Sequence, residues 1–221
     1  NNLVVKDASH SGITIASGTS SNAQIYFADG TSSDAPYRGI IRYDHNADNM
    51  QFWTSATVRM KLDSNSKISL ANNDGGTGNT IFGYGTGGTV ASGSNYNVLM
   101  GWDVANQGLN GGDFNVSIGT NSSRNLTSGS NNVALGGNSL YTNTTTAGNT
   151  AIGYRALYTL DYTNTNSPRT VAVGYDAGYY LDAGYDLTAV GYEAGYKSDD
   201  SYGNTFVGVI SGKYIDDGNY N

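Results

Sequence analysis

Two acidic side chains pose the first chemical question. Asp176 and Glu193 each stand two residues after a glycine, in "GYDAG" and "GYEAG", segments offset by 17 residues. If such segments stack as β coils about 4.8 Å apart, the two carboxylates approach the roughly 5 Å separation that retaining glycosidases use. Arg155 holds the same position one repeat earlier, however, so the three side chains also form an exposed Arg–Asp–Glu charge column. Nothing nearby in the sequence supplies the apolar surroundings that raise a carboxyl pKa. The charge column is the simpler account, so no enzyme is expected and no catalytic residue is assigned.

A second acidic pattern lies eight residues past four consecutive glycines: Asp161, Asp182, Asp199 and Asp216. Stacked in register, neighbours in this column repel by roughly 0.8 kcal/mol in bulk water. Turns that splay the side chains into solvent accommodate that cost. The alternative is a bridging hard cation such as calcium, with the doublets Asp199–Asp200 and Asp216–Asp217 as the metal candidates. No other cofactor is expected. The chain has no cysteine and two histidines, and Asp44, His45 and Asp48 in "RYDHNAD" read as a hairpin turn rather than a metal site. "GYGTGG" (Gly83–Gly88) fits G-x-G-x-x-G without the following helix that a dinucleotide site requires.

Aromatic residues form the third pattern. Tyr84, Trp102, Tyr154, Tyr175 and Tyr192 directly follow glycines, and Tyr141, Tyr158, Tyr179 and Tyr196 fall five residues after them. A flat ring with a polar tip suits sugar faces, while cross-coil aromatic ladders would cover a thin core. The two uses are compatible. Trp102, Tyr154, Tyr158, Tyr175, Tyr179, Tyr192 and Tyr196 are therefore the candidate binding residues, for a cell-surface glycan or protein receptor.

The elements that position these residues are repeats. Their central glycines are Gly83, Gly101, Gly119, Gly136, Gly153, Gly174, Gly191 and Gly208, spaced 17 or 18 residues apart except for one interval of 21. An apolar residue precedes every glycine, from Phe82 to Val207, and a β-branched one lies three before it. Two residues apart, these share one face of a strand, and that face is expected to be the core. The residue between them then points outward. It is apolar at Ile81, Leu99, Ala134, Ala151, Ala172, Ala189 and Phe206, which predicts a homotrimer that covers it. Asparagine stands four before the glycine in six of eight copies, a pattern suited to an amide ladder. The extra residues of the long interval fall within Leu160–Arg169 and predict an extruded loop.

The fold class that follows is all-β: a small antiparallel β module over 1–70, then a parallel β-solenoid or β-roll of about 17-residue coils over 71–221. The solenoid holds eight copies and the start of a ninth at Asn221, so the chain reads as a piece of something longer. In the first module the spacing predicts strands near Gly12–Ala16, Ala23–Ala28, Tyr37–Tyr43, Met50–Thr54, Thr57–Leu62 and Lys67–Leu70, divided by turn-forming clusters. The 31 glycines, 2 prolines and 13% charged residues agree with many short strands and tight turns.

The run "N-[VT]-A-[IVL]-G" resembles the head repeat of trimeric autotransporter adhesins. It resembles still more the "GNTAIGY-A-L" repeats of bacteriophage tail fibres. "YRGIIRYDHNADNMQFWTSATVRMKLDSNSKISL" is similar to a module of phage tail fibres and related appendage proteins, which favours the virion. The resemblance implies a trimeric, extracellular fibre segment of a virion that serves host attachment and contacts other tail proteins. The alternatives are a bacterial trimeric surface adhesin and a polysaccharide-degrading tailspike using Asp176 and Glu193. The formal charge of −7 with no basic stripe argues against nucleic acid. No apolar run is long enough for a membrane helix, so no membrane insertion is expected.

Overall fold

The computed structural model describes residues 12–30, 38–62, 68–69, 76–160, 169–181, 186–198, 202–215 and 218. All regular elements among them are β-strands, and they fall into two compact units, Asn1–Asn72 and Asn73–Asn221.

The first unit is an antiparallel sheet of β1 (Asn22–Phe27), β2 (Gly39–Asp44), β3 (Asn49–Thr54), β4 (Thr57–Leu62) and β5 (Ile68–Ser69), hydrogen-bonded in chain order. Turn chemistry sets the register. At β2–β3 the Asp44 carboxylate accepts the amides of Asn46 and Ala47, and Asp48 closes the turn at φ 48°. Ser55 and Ala56 join β3 to β4 with both residues at positive φ, the backbone of a two-residue primed turn. Ile25, Ile41, Phe52 and Met60 align as an apolar row across four strands. The next row, offset by one residue, carries Gln24, Arg42 and Gln51 on the opposite face. There Arg42 Nε donates to Gln24 and its guanidinium covers Trp53, while Trp53 Nε1 donates to Gln51. The segment Gly12–Ala16, expected as a strand, forms none and is exposed throughout.

The second unit is a β-solenoid. One strand from each coil enters an eight-stranded parallel sheet: β6 (Thr80–Phe82), β7 (Val98–Trp102), β8 (Val116–Thr120), β9 (Val133–Leu135), β10 (Thr150–Ile152), β12 (Val171–Val173), β14 (Thr188–Val190) and β15 (Thr205–Val207). Equivalent repeat positions pair along the whole sheet, for example Thr150 with Val133 and Val171. The long interval leaves this register unshifted. The loop predicted within it, residues 161–168, lies outside the described residues. A second parallel pair, β11 (Thr159–Leu160) and β13 (Tyr180–Leu181), lies on another side of the coil.

The core face is the reverse of the expected one. Leu99, Ala134, Ala151, Ala172 and Ala189, placed outside by the sequence reading, are fully buried, and Phe206 nearly so. The flanking column faces outward, with Phe82 60% and Val207 68% exposed. The reason is parity. The buried asparagine, the small middle residue and the central glycine are two residues apart, so all three point inward. Four consecutive coils hold alanine in the middle position, while the first, second and last hold Ile81, Leu99 and Phe206. The glycine is fixed by space as well as by backbone. At Gly153 φ is +130°, and a Cβ would lie 2.3 Å from the carbonyl oxygen of Gly174.

The asparagines form a buried ladder. Asn132 Nδ2 donates to Asn115 Oδ1 and to the Thr146 carbonyl, while its own Oδ1 accepts the backbone and side-chain N–H groups of Asn149. Thr170 and Leu187 interrupt the column, and the Thr170 hydroxyl is buried with no hydrogen-bond partner among the described residues. Packing compensates at this point. Where Leu140 and Leu157 give way to Gly178, Gly195 and Gly212, Leu187 and Phe206 fill the vacated space. From the third coil into the fourth the core turns polar: Ser117, Ser122, Ser123 and Ser139 are buried and hydrogen-bonded. This hydroxyl layer separates an apolar cluster around Leu99 and Leu109 from a larger one running from Ala134 to Phe206.

Candidate functional site

The candidate site is built on the bend after each central glycine. The second residue past the glycine adopts positive φ in every coil, including Arg155 (53°), Asp176 (54°) and Glu193 (50°). Repetition of one unusual backbone state lines these side chains into a column beside the two tyrosine positions.

The column is a set of matched ion pairs. Arg155 Nε and Nη2 donate to both oxygens of Asp176 at 2.8 and 2.5 Å, and the Asp176 side chain is only 4% exposed. That bidentate bond raises the guanidinium pKa further above its ordinary value. Glu193 pairs instead with Lys213 at 2.5 Å. The hydrogen bond from Lys213 holds the Glu193 carboxyl below the usual range, and Glu193 raises the Lys213 ammonium in return. Asp176 and Glu193 are therefore each committed to a separate cation. Glu193 is held ionised, which is opposite to what a general acid requires.

The tyrosines make two ladders. In the inner one Tyr141, Tyr158, Tyr179 and Tyr196 stack with centroids 5.0, 5.0 and 5.1 Å apart and planes within 12° of parallel. Cations close both ends. Arg124 lies over Tyr141 and donates to its hydroxyl, and Lys213 Nζ lies 5.5 Å from the Tyr196 centroid. Burial raises the pKa of Tyr179 and of Tyr196. In the outer ladder Tyr154, Tyr175 and Tyr192 follow one another at 5.3 and 5.5 Å and are each 44–46% exposed. A hydrogen bond to Glu193 raises the Tyr192 phenol. Arg155 sits between the ladders, 5.0–5.6 Å from the centroids of Tyr154, Tyr175 and Tyr179.

Six of the seven aromatic candidates thus gather in two neighbouring ladders, linked through Arg155. Trp102 stands apart, tilted against Tyr84 at 4.7 Å. A further exposed pair, Tyr96 stacked on Phe114, escaped the sequence reading; both lie five residues before their glycines, a position aromatic in only these two coils. The cationic caps also escaped it, although Arg124 and Lys213 occupy the same repeat position as the inner tyrosines.

The metal candidates Asp199, Asp200, Asp216 and Asp217 lie outside the described residues, as do Asp161 and Asp182 of the same column. Among the described residues no cluster of three or more His, Asp or Glu side chains could hold a metal ion. Asp44 and Asp48 serve the hairpin turn, where Asp48 accepts the Tyr43 hydroxyl and the His45 ring packs edgewise on Tyr43. No described helix is long and apolar enough to cross a membrane. No protein-family model, no curated protein and no solved structure matches the chain.

Proposed function

We propose that the chain is a segment of a trimeric virion fibre, a phage tail fibre, that works outside the cell as a rigid spacer and host-attachment surface. One observation carries this reading. The residue before each glycine makes an unbroken outward apolar column of Phe82, Met100, Ile118, Leu135, Ile152, Val173, Val190 and Val207. Across eight strands about 4.8 Å apart, such a stripe exceeds what a solitary soluble rod leaves open to water. Three parallel rods that turn this face toward a common axis cover it and keep coil heights aligned. The ion-paired state of Asp176 and Glu193 favours binding over hydrolysis. The repeat and the "RYDH" module supply the likeness to fibres of phage.

The test is localisation and blocking. Antibodies raised against the chain should decorate the tails of intact particles and prevent their adsorption to host cells. Labelling of the bacterial envelope in the absence of particles would overturn the virion assignment in favour of the surface adhesin.

A further inference from the structure

We infer that the strip between the two tyrosine ladders is a track for an uncharged, linear polysaccharide lying along the rod axis. The inference rests on the attachment role proposed above and gives that role a ligand class.

Three features define what can bind. First, the floor is electrically closed. Arg155 is matched to Asp176 and Lys213 to Glu193, so an anionic or cationic ligand would have to break a pair, one of which is bidentate and nearly buried. Second, the groups on offer repeat along one line. Tyr154, Tyr175 and Tyr192 on one side and Tyr158, Tyr179 and Tyr196 on the other present ring edges and phenol tips at centroid intervals of 5.0–5.5 Å. A compact ligand would meet only one rung; an extended polymer whose residues are about one coil long meets them all. Third, the faces of the inner rings are covered by one another and by the cations at each end. A flat aromatic guest therefore finds no face there to stack on. The outer rings, which stay half exposed, offer apolar ring surface with a polar tip, and that suits a chain that alternates C–H surface with hydroxyl groups, as a neutral glycan does.

The test uses the purified chain and a panel of uncharged linear oligosaccharides, disaccharide to octasaccharide, with an acidic polysaccharide as the contrast, read by calorimetry. Affinity should rise with glycan length and level off once the ladders are spanned. Tyr175→Ala and Tyr192→Ala should each weaken binding about tenfold while the melting temperature stays near that of the parent. Phe27→Ala, an exposed position in the first unit, should leave binding unchanged. Tighter binding of the acidic polymer, no binding of any neutral glycan, or equal binding by Tyr175→Ala would overturn the inference. If the chain adheres to host cells and ignores every neutral glycan, the track is wrong and the attachment role stands. If glycans bind while antibodies label no particle, the virion assignment fails and the track stands.

Discussion

The two units spend β structure in opposite ways. In the antiparallel sheet the described residues bury one apolar side chain, Ile40, together with Asn49 and Gln51. Its order comes from turns and from cross-strand pairs such as Gln24 with Arg42. In the solenoid the order runs perpendicular to the chain. Columns of asparagine, alanine, leucine, glycine and tyrosine repeat one residue type in successive coils, and leucine and alanine make up most of the two buried apolar clusters. A sheet of the first kind tolerates single changes and depends on turn geometry. A solenoid is most sensitive where a buried column is broken without a compensating change in packing, because each coil has only its two neighbours to lean on.

The largest effect should come from the glycine column. Gly153→Ala places a Cβ against the carbonyl of Gly174 and holds a side chain at φ +130°, so a loss of roughly 4 kcal/mol is expected in denaturant unfolding. Gly208→Ala has a similar φ, +126°, but its nearest neighbour is Ser211 Cβ at 4.0 Å. Its cost should be less than half as large. Equal losses would show that backbone strain alone, without the close approach of coils, sets the requirement.

The amide ladder comes next. Asn132→Ala strips the acceptor from both Asn149 donors and leaves the Asn115 oxygen and the Thr146 carbonyl short of a donor. About 3 kcal/mol should be lost. A change under about 0.5 kcal/mol would mean that water enters the ladder freely.

Alkali should act more gently. The phenols of Tyr179 and Tyr196 are raised by burial and that of Tyr192 by its bond to Glu193. A raised folded-state pKa means that the folded chain holds these protons after the unfolded chain has released them. The stabilisation is complete below the ordinary phenol value of about 10 and is lost as pH rises through the raised values. Melting temperature should fall with pH in that window, and phenolate absorbance should appear later than in the unfolded chain. A flat melting temperature there would contradict the tight ladder.

The smallest effect, and a gain, belongs to the first unit. Ser55 and Ala56 occupy a turn with φ of 49° and 57°, where Asn-Gly is preferred. The double change Ser55→Asn, Ala56→Gly should stabilise the sheet by up to about 1 kcal/mol, read as slower hydrogen exchange in β3 and β4. Faster exchange would mean that the hairpin is held by something other than its turn.

Much of this architecture was legible in residue spacing. The glycine period located every coil and its register, and all five first-unit strands fall within two residues of their expected ends, because turn clusters bound them. The core face was misread at Ala134 and Ala151, since hydrophobicity favours the neighbouring valines and isoleucines. The inward parity of Asn132 and Gly136 was the better guide: a column that admits only one small or amide residue must be where space is scarce. The charge column was visible, but its pairing was not, because Lys213 reaches Glu193 from a different repeat position. The inner ladder was visible as tyrosines. Its cationic ends were hidden, since a change of residue type at the end of a column reads as the end of the pattern.

Association through the outward apolar column is tested most directly by the mass of the purified chain in sedimentation equilibrium at micromolar concentration. One chain is 23.2 kDa. Three times that mass is expected for the parent, with a shift to the single-chain value when Met100 and Val173 are both replaced by lysine. A parent that sediments as one chain, with its solenoid intact, would contradict the trimeric fibre.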